Sequence, residues 1–277
     1  MHPEIEDVSD TALMVAGYRA IETARPDALI RDPWAARLAG DRGMAIARSV
    51  PGVEWAAIGI SMRFEMVDEL LLHALERTGA RTVVNLGAGL DTRPWRLNLP
   101  PGLRWIEADF PAMLKYKAER LADHAPRCRL DRIAADLTNP LERRRVFAAV
   151  DVPAVMITEG LLMYLSAEVV DALAKESAEF GISAWVLDAI SADMMHASHR
   201  NSPHWLDNVR AQDHLTGKQI LDWVRDRGWT DVESRSYLRD ASAPMTARIM
   251  GMLQAGGANA TGRPPEDDPS GVYCFGR

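Results

Sequence analysis

Two glycines one residue apart, Gly87 and Gly89, follow a short apolar run at residues 82–86. Such a run predicts a buried β-strand, and glycines at its end allow backbone amides to face a ligand with no Cβ in the way. The dinucleotide fingerprint G-x-G-x-x-G requires a small residue at the place where this chain has Thr92. The loop with Ala88 between its glycines therefore predicts a nucleoside site and disfavours a bound pyrophosphate.

Three acidic residues stand at the predicted ends of the next three strands. Asp109 closes the second strand, where a carboxylate can accept hydrogen bonds from both hydroxyls of a ribose. Asp136 and Leu137 end the third strand, where a carboxylate and a backbone amide can bind adenine. Glu159 ends the fourth, beside the place expected for a methionine group. Any one of these acids could instead be a helix N-cap or a solvated loop residue. Together they indicate a nucleoside without a diphosphate, and S-adenosylmethionine is the common cofactor of that kind.

The methyl acceptor of such a cofactor decides whether a base is needed. A carboxylic acid is already ionised at neutral pH, whereas a phenol or an alcohol requires a general base. Candidate bases lie within residues 188–214, and Trp205 in the same segment could line an aromatic acceptor's pocket. These candidates are His196, His199, His204, His214, Asp188 and Asp193. The H-x-x-H spacing of His196 and His199 has no third ligand at a defined distance, so no metal is predicted.

Strands and helices alternate along most of the chain, which predicts an α/β fold with a doubly wound parallel sheet. The central strands are predicted over 81–86, 103–109, 129–136, 153–160 and 183–191, and the helices between them over 111–123, 140–149 and 166–180. Ligands of such sheets bind at the carboxyl ends of the strands.

Both ends of the chain add further elements. Helices are predicted within residues 10–39, broken at Pro26 and Pro33 with Asp10 as an N-cap, and over 54–79, ending at Gly79. After the fifth strand we expect a helix over 217–227, a strand near 230–238, a loop over 255–270 and a last strand over 271–276. No internal repeat interrupts the pattern, so a single domain over 1–277 is expected.

Composition narrows the class of protein. The chain has 277 residues, 47% of them apolar, and a formal charge of −7, which disfavours a general nucleic-acid binder. Its two cysteines, Cys128 and Cys274, match no metal-ligand spacing and indicate reduced thiols in a cytoplasm. No signal peptide or membrane span is expected, so the protein should be soluble. The predicted partner is a small-molecule acceptor.

Several ordered segments resemble the leucine carboxyl methyltransferase family, including its bacterial branch of polyketide carboxyl O-methyltransferases. They are TALMVAGYRAIE, LIRDPWAARLAG, NLGAGLDTRPWRL, EADFPAMLKYKAERL, AADLTNP and TEGLLMYL, within residues 10–190. The resemblance implies a Rossmann-like class I methyltransferase fold with a seven-stranded, mostly parallel sheet whose last strand is antiparallel. It also implies an N-terminal helical lid over 1–79, a core over 80–277, and a cap after the fifth strand at about 191–216.

The same resemblance assigns roles to single residues. It implies that Arg63 pairs with the cofactor's carboxylate and that Gly87 lies under its methionine part, with Ala88 and Gly89 also among the cofactor-binding residues. Asp109 would bind the ribose and Glu159 the amino group. Asp136 and Leu137 would bind adenine.

The resemblance singles out four more residues. Two of them fall on motif positions, and either of the other two could replace a lysine of the family. Lys117 and Tyr164 fall on motif positions with no assigned role, and Tyr164 joins His199, His204 and Asp193 as a catalytic candidate. Arg19 or Tyr18 would stand in for a lysine that eukaryotic members carry in the first helix.

The sequence therefore predicts an S-adenosylmethionine-dependent O-methyltransferase that forms a methyl ester on a small natural-product acid. One alternative is methylation of a phenol or hydroxyl with a His or Asp base. A nicotinamide-dependent oxidoreductase is disfavoured by the missing third glycine. A further alternative is a non-catalytic cofactor- or partner-binding protein on the same fold.

Overall fold

The computed structural model describes residues 8–194, 215–255 and 267–277. These residues contain one seven-stranded sheet with helices around it. Its strands are β1 (Thr82–Leu86), β2 (Arg104–Asp109), β3 (Arg129–Ala134), β4 (Ala154–Thr158), β5 (Ala184–Ala189), β6 (Thr230–Ser236) and β7 (Gly271–Gly276). The strand order is β3-β2-β1-β4-β5-β7-β6, and β7 is antiparallel to both of its neighbours while the other pairs are parallel. The predicted mostly parallel sheet is confirmed.

Helices connect the strands and precede the sheet. They are α1 (Val8–Thr23), α2 (Ala35–Ser49), α3 (Val53–Thr78), α4 (Arg93–Arg96), α5 (Pro111–Arg120), α6 (Pro140–Ala148), α7 (Ala167–Glu179), α8 (Gly217–Asp226) and α9 (Ala243–Ala255), with a 3₁₀ turn at Leu162–Tyr164. Within the described residues, no helix has the length and apolar character needed to cross a lipid bilayer.

The two faces of the sheet are covered by different helices. Because successive side chains of a strand point to opposite faces, Val83 and Val84 belong to separate apolar clusters. Val83 packs in the cluster that contains Leu71 of α3. Val84 packs in the cluster that contains Phe147 of α6 and Leu173 of α7. Helix α3 on one face and the crossover helices α6 and α7 on the other thus bury the sheet and leave the carboxyl ends of β1 to β5 for a ligand.

Helices α1 and α2 pack closely through small residues. A Cβ added to Gly17 would lie 2.7 Å from both the Cβ of Ala47 and the carbonyl oxygen of Gly43, so only glycine permits this approach. Ala16 of α1 packs in the same apolar cluster as Leu90, which follows the glycine loop. The helix pair therefore lies against the carboxyl-end loops of the sheet.

The predicted N-cap at Asp10 is wrong. Helix α1 begins at Val8, which places Asp10 in the first turn. Its carboxylate accepts hydrogen bonds from two nitrogens of Arg42 in α2, each at 2.6 Å. Asp10 therefore joins the first two helices.

Other differences concern the ends of elements. Strands β3 and β4 end at Ala134 and Thr158, so that Asp136 and Glu159 lie in the loops that follow. The side chain of Asp136 accepts the backbone N–H of Thr138 at 2.9 Å, which turns the chain out of the strand direction. Helix α9 was not predicted, because Gly251 in its interior weakens the helical signal.

The division into a lid and a core stays a prediction. The second half of α3, which the sequence assigns to the lid, packs on the sheet through residues such as Leu70 and Leu71. Most of the predicted cap, residues 195–214, lies outside the described part of the chain.

Candidate functional site

A cavity of about 260 Å³ opens at the carboxyl ends of the central strands. Loops after β1, β2, β3 and β4 line it, together with α1 and α3. All eight predicted cofactor-binding residues are in this lining: Arg63, Gly87, Ala88, Gly89, Asp109, Asp136, Leu137 and Glu159. Residues from distant parts of the sequence are thus brought to one place, although their roles stay predictions.

The predicted catalytic residues do not all lie in the cavity lining. Tyr164 lines the cavity, in the 3₁₀ turn after β4. Asp193 lies in the described part of the chain but is not in the cavity lining. The histidines of the predicted cap and Trp205 fall on residues outside the described part of the chain: His196, His199, His204 and His214.

The backbone of the glycine loop adopts positive φ angles, which residues with a side chain rarely adopt. Gly87 and Gly89 have φ angles of 64° and 44°, a region that L-residues other than glycine rarely adopt. A Cβ on Gly87 would lie 2.7 Å from a methyl carbon of Leu161. The backbone N–H groups of Gly87 and Ala88 both donate to the carbonyl of Ala108, at 2.8 and 3.2 Å. The loop is therefore tied to the end of β2, and these two N–H groups donate within the protein, whereas the sequence predicted loop amides that face a ligand.

Asp109 is held at this loop by two backbone donors. Its Oδ2 accepts the N–H of Gly89 at 2.6 Å, and its Oδ1 accepts the N–H of Phe110 at 2.7 Å. An ionised carboxylate has about four acceptor sites, so capacity remains for two hydroxyl donors. Burial raises the pKa of Asp109, while the two N–H groups and the charge of Lys117 act in the opposite direction.

Glu159 lies between two guanidinium groups. Its Oε1 accepts from Nε of Arg63 at 3.0 Å, and its Oε2 is 2.7 Å from Nη1 of Arg93. Burial raises the pKa of Glu159, but Arg93 and Arg63 outweigh this effect and hold the pKa below its ordinary value. Glu159 is therefore ionised at neutral pH.

Both arginines have further carboxylate partners. Arg63 also reaches Oδ2 of Asp188 at 3.5 Å, and Arg93 reaches Asp91 at 3.0 Å and Asp68 at 2.6 Å. Asp188 accepts the N–H of Gly160 at 2.6 Å. Burial raises the pKa of Asp188, against the charge of Arg63 and the Gly160 N–H.

Sequence reasoning did not place Arg93, Asp68 or Asp91 in this charged cluster, and it grouped Asp188 with the histidine segment. Asp188 stands near the end of β5, so the rule that selected the acids after the other strands could have found it. Arg93 had no such signal, because its contact with Glu159 joins residues far apart in the chain.

Of the two residues named as substitutes for a lysine in the first helix, Arg19 lines the cavity, and Tyr18 is buried without being in its lining. Arg19 donates to Asp32 at 2.9 Å and to the carbonyl of Leu90 at 2.7 Å. Asp32 also accepts the hydroxyl of Thr92 at 2.8 Å. This chain of contacts fixes α1 to the loop after Gly89.

In the described part of the chain, one group of three side chains away from the cavity consists of residue types that can ligate a metal ion. The ligand atoms of Glu69, His73 and Glu233 lie within 4.8 Å of one another. Arg235 reaches Glu69 at 2.5 Å and Glu233 at 2.8 Å, so a guanidinium already pairs with both carboxylates.

The family model of leucine carboxyl methyltransferase matches residues 12–178, more than half of the chain. The chain belongs to the leucine carboxyl methyltransferase family. The predicted family is thereby confirmed, and S-adenosylmethionine is the cofactor that goes with it.

Relatives in two actinobacteria share this part of the sequence. A protein of Streptomyces coelicolor named "Putative S-adenosyl-L-methionine-dependent methyltransferase" is 38% identical over 175 residues, which are 59% of this chain and 62% of that protein. A protein of Rhodococcus jostii with the same description is 37% identical over 179 residues, 61% of this chain and 60% of that protein. The match thus covers about three fifths of these relatives.

Solved structures support the fold. A DUF574 family protein from Streptomyces avermitilis has a TM-score of 0.59 at 14% identity, covering 94% of this chain and 95% of that one. A protein from Thermobifida fusca described as a "putative methyltransferase" has a TM-score of 0.55 at 16% identity, covering 96% of this chain and 93% of that one. At these identities the likeness concerns the fold, and it agrees with the predicted class I methyltransferase architecture.

Proposed function

We propose that this protein transfers the methyl group of S-adenosylmethionine to a carboxylate oxygen of a small acid and so forms a methyl ester. The observation that carries the proposal is the cavity itself, which joins the glycine loop, Asp109 and the Arg63–Glu159 pair in one lining. Family membership supports the reaction class. The acid as acceptor, and its natural-product character, are the finer part of the proposal.

The residues present fit the cofactor. Gly87 lines the cavity with backbone alone, and Asp109 retains acceptor capacity for a ribose. Arg63 offers a planar guanidinium for a carboxylate, and Glu159 is an ionised partner for an ammonium group. The ribose, the carboxylate and the ammonium group of the cofactor thus each have a side chain of suitable chemistry in the lining.

The charge of the cavity supports a cationic nucleoside over a dinucleotide. Three arginines and four carboxylates line it: Arg19, Arg63, Arg93, Asp91, Asp109, Asp136 and Glu159. This excess of negative charge suits a ligand with a sulfonium and an ammonium group and opposes a pyrophosphate. In addition, Asp91 already accepts the first N–H of α4 at 2.8 Å, where a pyrophosphate would bind in a dinucleotide site.

The chemistry requires little from the protein beyond placement. The sulfonium supplies an electrophilic methyl group, whose bond to sulfur breaks as a bond to the acceptor oxygen forms, leaving a neutral thioether. A carboxylate acceptor has a reference pKa near 4 and needs no base. The apolar lining from Val15, Leu161, Met163 and Leu165 would hold the acceptor's body and exclude water from its oxygen.

A panel of acids and phenols, incubated with the protein and S-adenosylmethionine, tests the proposal. We expect mass spectrometry to detect methylated acids, and mild alkali to remove the added methyl as expected of an ester. Calorimetric titration should show binding of S-adenosylhomocysteine and none of nicotinamide dinucleotides. Methylation confined to phenols would refute the carboxyl acceptor, and absent binding of S-adenosylhomocysteine would refute the reaction class.

A further inference from the structure

Lys117 and Glu107 form an ion pair that is closed to solvent on all sides. Nζ of Lys117 lies 2.5 Å from Oε1 of Glu107, and both side chains have 0% exposure. Nε of Arg132 donates to the other oxygen of Glu107 at 3.0 Å, and the ring of Trp95 lies 5.6 Å from the Lys117 ammonium. Burying two charges is expensive even when they are paired, and apolar residues of similar size would be at least as stable. The pair therefore calls for an explanation other than stability.

The pair belongs to a polar row that runs across three strands towards the glycine loop. Arg132 of β3, Glu107 of β2 and Asn85 of β1 are register partners, so their side chains share one face of the sheet. Nδ2 of Asn85 donates to Oδ2 of Asp91 at 2.7 Å. Because Asp91 lies two residues after Gly89, the row ends in the loop that lines the cavity.

The charge of Lys117 acts on two carboxylates, Asp91 in that loop and Asp109 at the end of β2. Burial raises the pKa of Asp109, and the groups that oppose this are the N–H groups of Gly89 and Phe110 and the charge of Lys117. Burial also raises the pKa of Asp91, but guanidinium and ammonium charges outweigh it and bring the pKa to about 2. The charges that act on Asp91 are Arg93, Lys117 and Arg96.

We propose that Lys117 is a positioning residue of the cofactor site: anchored by Glu107 in the polar row that ends at Asp91, it keeps Asp91 and Asp109 in the arrangement that receives the cofactor. Lys117 does not line the cavity and acts through these carboxylates. The inference rests on the proposed function, since it takes Asp109 as the group that binds the ribose.

The test measures binding of S-adenosylhomocysteine by calorimetry between about pH 5 and 8.5. A carboxylic acid with a raised pKa, such as Asp109, changes its protonation within this range. Lys117→Met removes the ammonium but leaves Glu107 buried with Arg132 alone. The double variant Lys117→Met/Glu107→Gln removes the ion pair without leaving a lone carboxylate. Lys115→Met is the matched control, because Lys115 lies on the same helix with an exposed side chain. Melting temperatures and circular dichroism report on folding.

The double variant should bind less tightly than wild type, and the loss should grow as the pH falls. The reason is that Asp109 without the ammonium takes up a proton at higher pH and then accepts fewer ribose hydrogen bonds. We expect a loss of at least about tenfold near pH 5.5 and of less than about threefold near pH 8, with Lys115→Met equal to wild type throughout.

Two outcomes would overturn the inference. A folded double variant that binds as tightly as wild type at every pH shows that the row does not act on the site. A loss of the same size at every pH shows a purely structural role. These results differ from failure of the proposed function, in which wild type and Lys115→Met also fail to bind S-adenosylhomocysteine.

Discussion

At the residue scale, the contacts of Asp109 lead to a quantitative prediction about cofactor binding. Its carboxylate is pre-oriented by the N–H groups of Gly89 and Phe110, so little reorganisation is needed to accept two hydroxyls. Because hydrogen bonds to charged groups contribute about 1.5–3 kcal/mol, Asp109→Ala should weaken cofactor binding by about that amount. Calorimetric titration measures the change, with Asp41→Ala, at an exposed site on α2, as the control. Equal affinity of a folded Asp109→Ala protein would disprove the ribose assignment.

Arg63 tests whether the geometry of a guanidinium matters beyond its charge. It contacts Glu159 through Nε and Asp188 through Nη1, which leaves the remaining donors of its planar fork for a ligand carboxylate. Lysine retains the charge but offers no fork. Arg63→Lys should therefore raise the KM for S-adenosylmethionine by about tenfold or more, with a smaller effect on kcat.

Steady-state kinetics with varied cofactor measure this effect. Arg77→Lys, on the same helix and away from the cavity, should leave the KM unchanged. If Arg63→Lys gives wild-type constants, Arg63 does not bind the cofactor's carboxylate and its role is confined to the ion pairs with Glu159 and Asp188.

At the scale of elements, the close packing of α1 on α2 can be tested with one methyl group. Gly17→Ala would place a Cβ 2.7 Å from Ala47 and Gly43. Such overpacking typically destabilises by about 1–3 kcal/mol, and here it would also displace α1, which lines the cavity. Both the free energy of unfolding and the affinity for S-adenosylhomocysteine should therefore fall.

Gly59→Ala in α3 is the matched control, because a Cβ there meets nothing within 4 Å. Alanine is favoured over glycine in a helix by about 0.5–1 kcal/mol, so this variant should be slightly more stable than wild type. Urea unfolding of both variants gives the comparison. Equal stabilisation by the two substitutions would show that α1 and α2 are packed less tightly than the structure indicates.

The elements themselves could mostly be predicted from the sequence. Buried runs such as residues 82–86 have a strong strand signal, and Gly79 ends α3 in the left-handed conformation that a helix end favours. The glycine loop and the acids after β2 to β4 followed from the rule that ligands bind at the carboxyl ends of strands. Local pattern is enough for such features.

Contacts between segments that are far apart in the chain could not be predicted from local sequence pattern. The pairing of Arg93 with Glu159 and the buried Lys117–Glu107 pair depend on how crossovers place helices over the sheet. Asp10 was misassigned for a similar reason, since its partner Arg42 lies on another helix. The sequence marks such residues as charged, and only the fold shows which charges meet.

At the scale of the whole molecule, the open question is how the acceptor oxygen becomes a nucleophile. A histidine base must be neutral to accept a proton, so turnover would rise with pH through a pKa of about 6.5. A carboxylate acceptor is ionised well below that pH and predicts no such rise. Turnover should therefore be flat near pH 6.5 when cofactor and acceptor are both saturating, a condition that removes the contribution of cofactor binding by Asp109.

Alanine variants of His196, His199, His204 and His214 make the same distinction residue by residue. Loss of a general base typically lowers turnover by about 100-fold or more, so each variant of a carboxyl methyltransferase should lose less than that. The KM for the acceptor can change even so, because a residue that contacts the acceptor's body affects binding without touching the proton. Rates of methyl transfer in a single turnover keep product release from masking the chemical step. One histidine whose replacement abolishes transfer while S-adenosylhomocysteine still binds would establish a base and, with it, a phenol or alcohol as the acceptor.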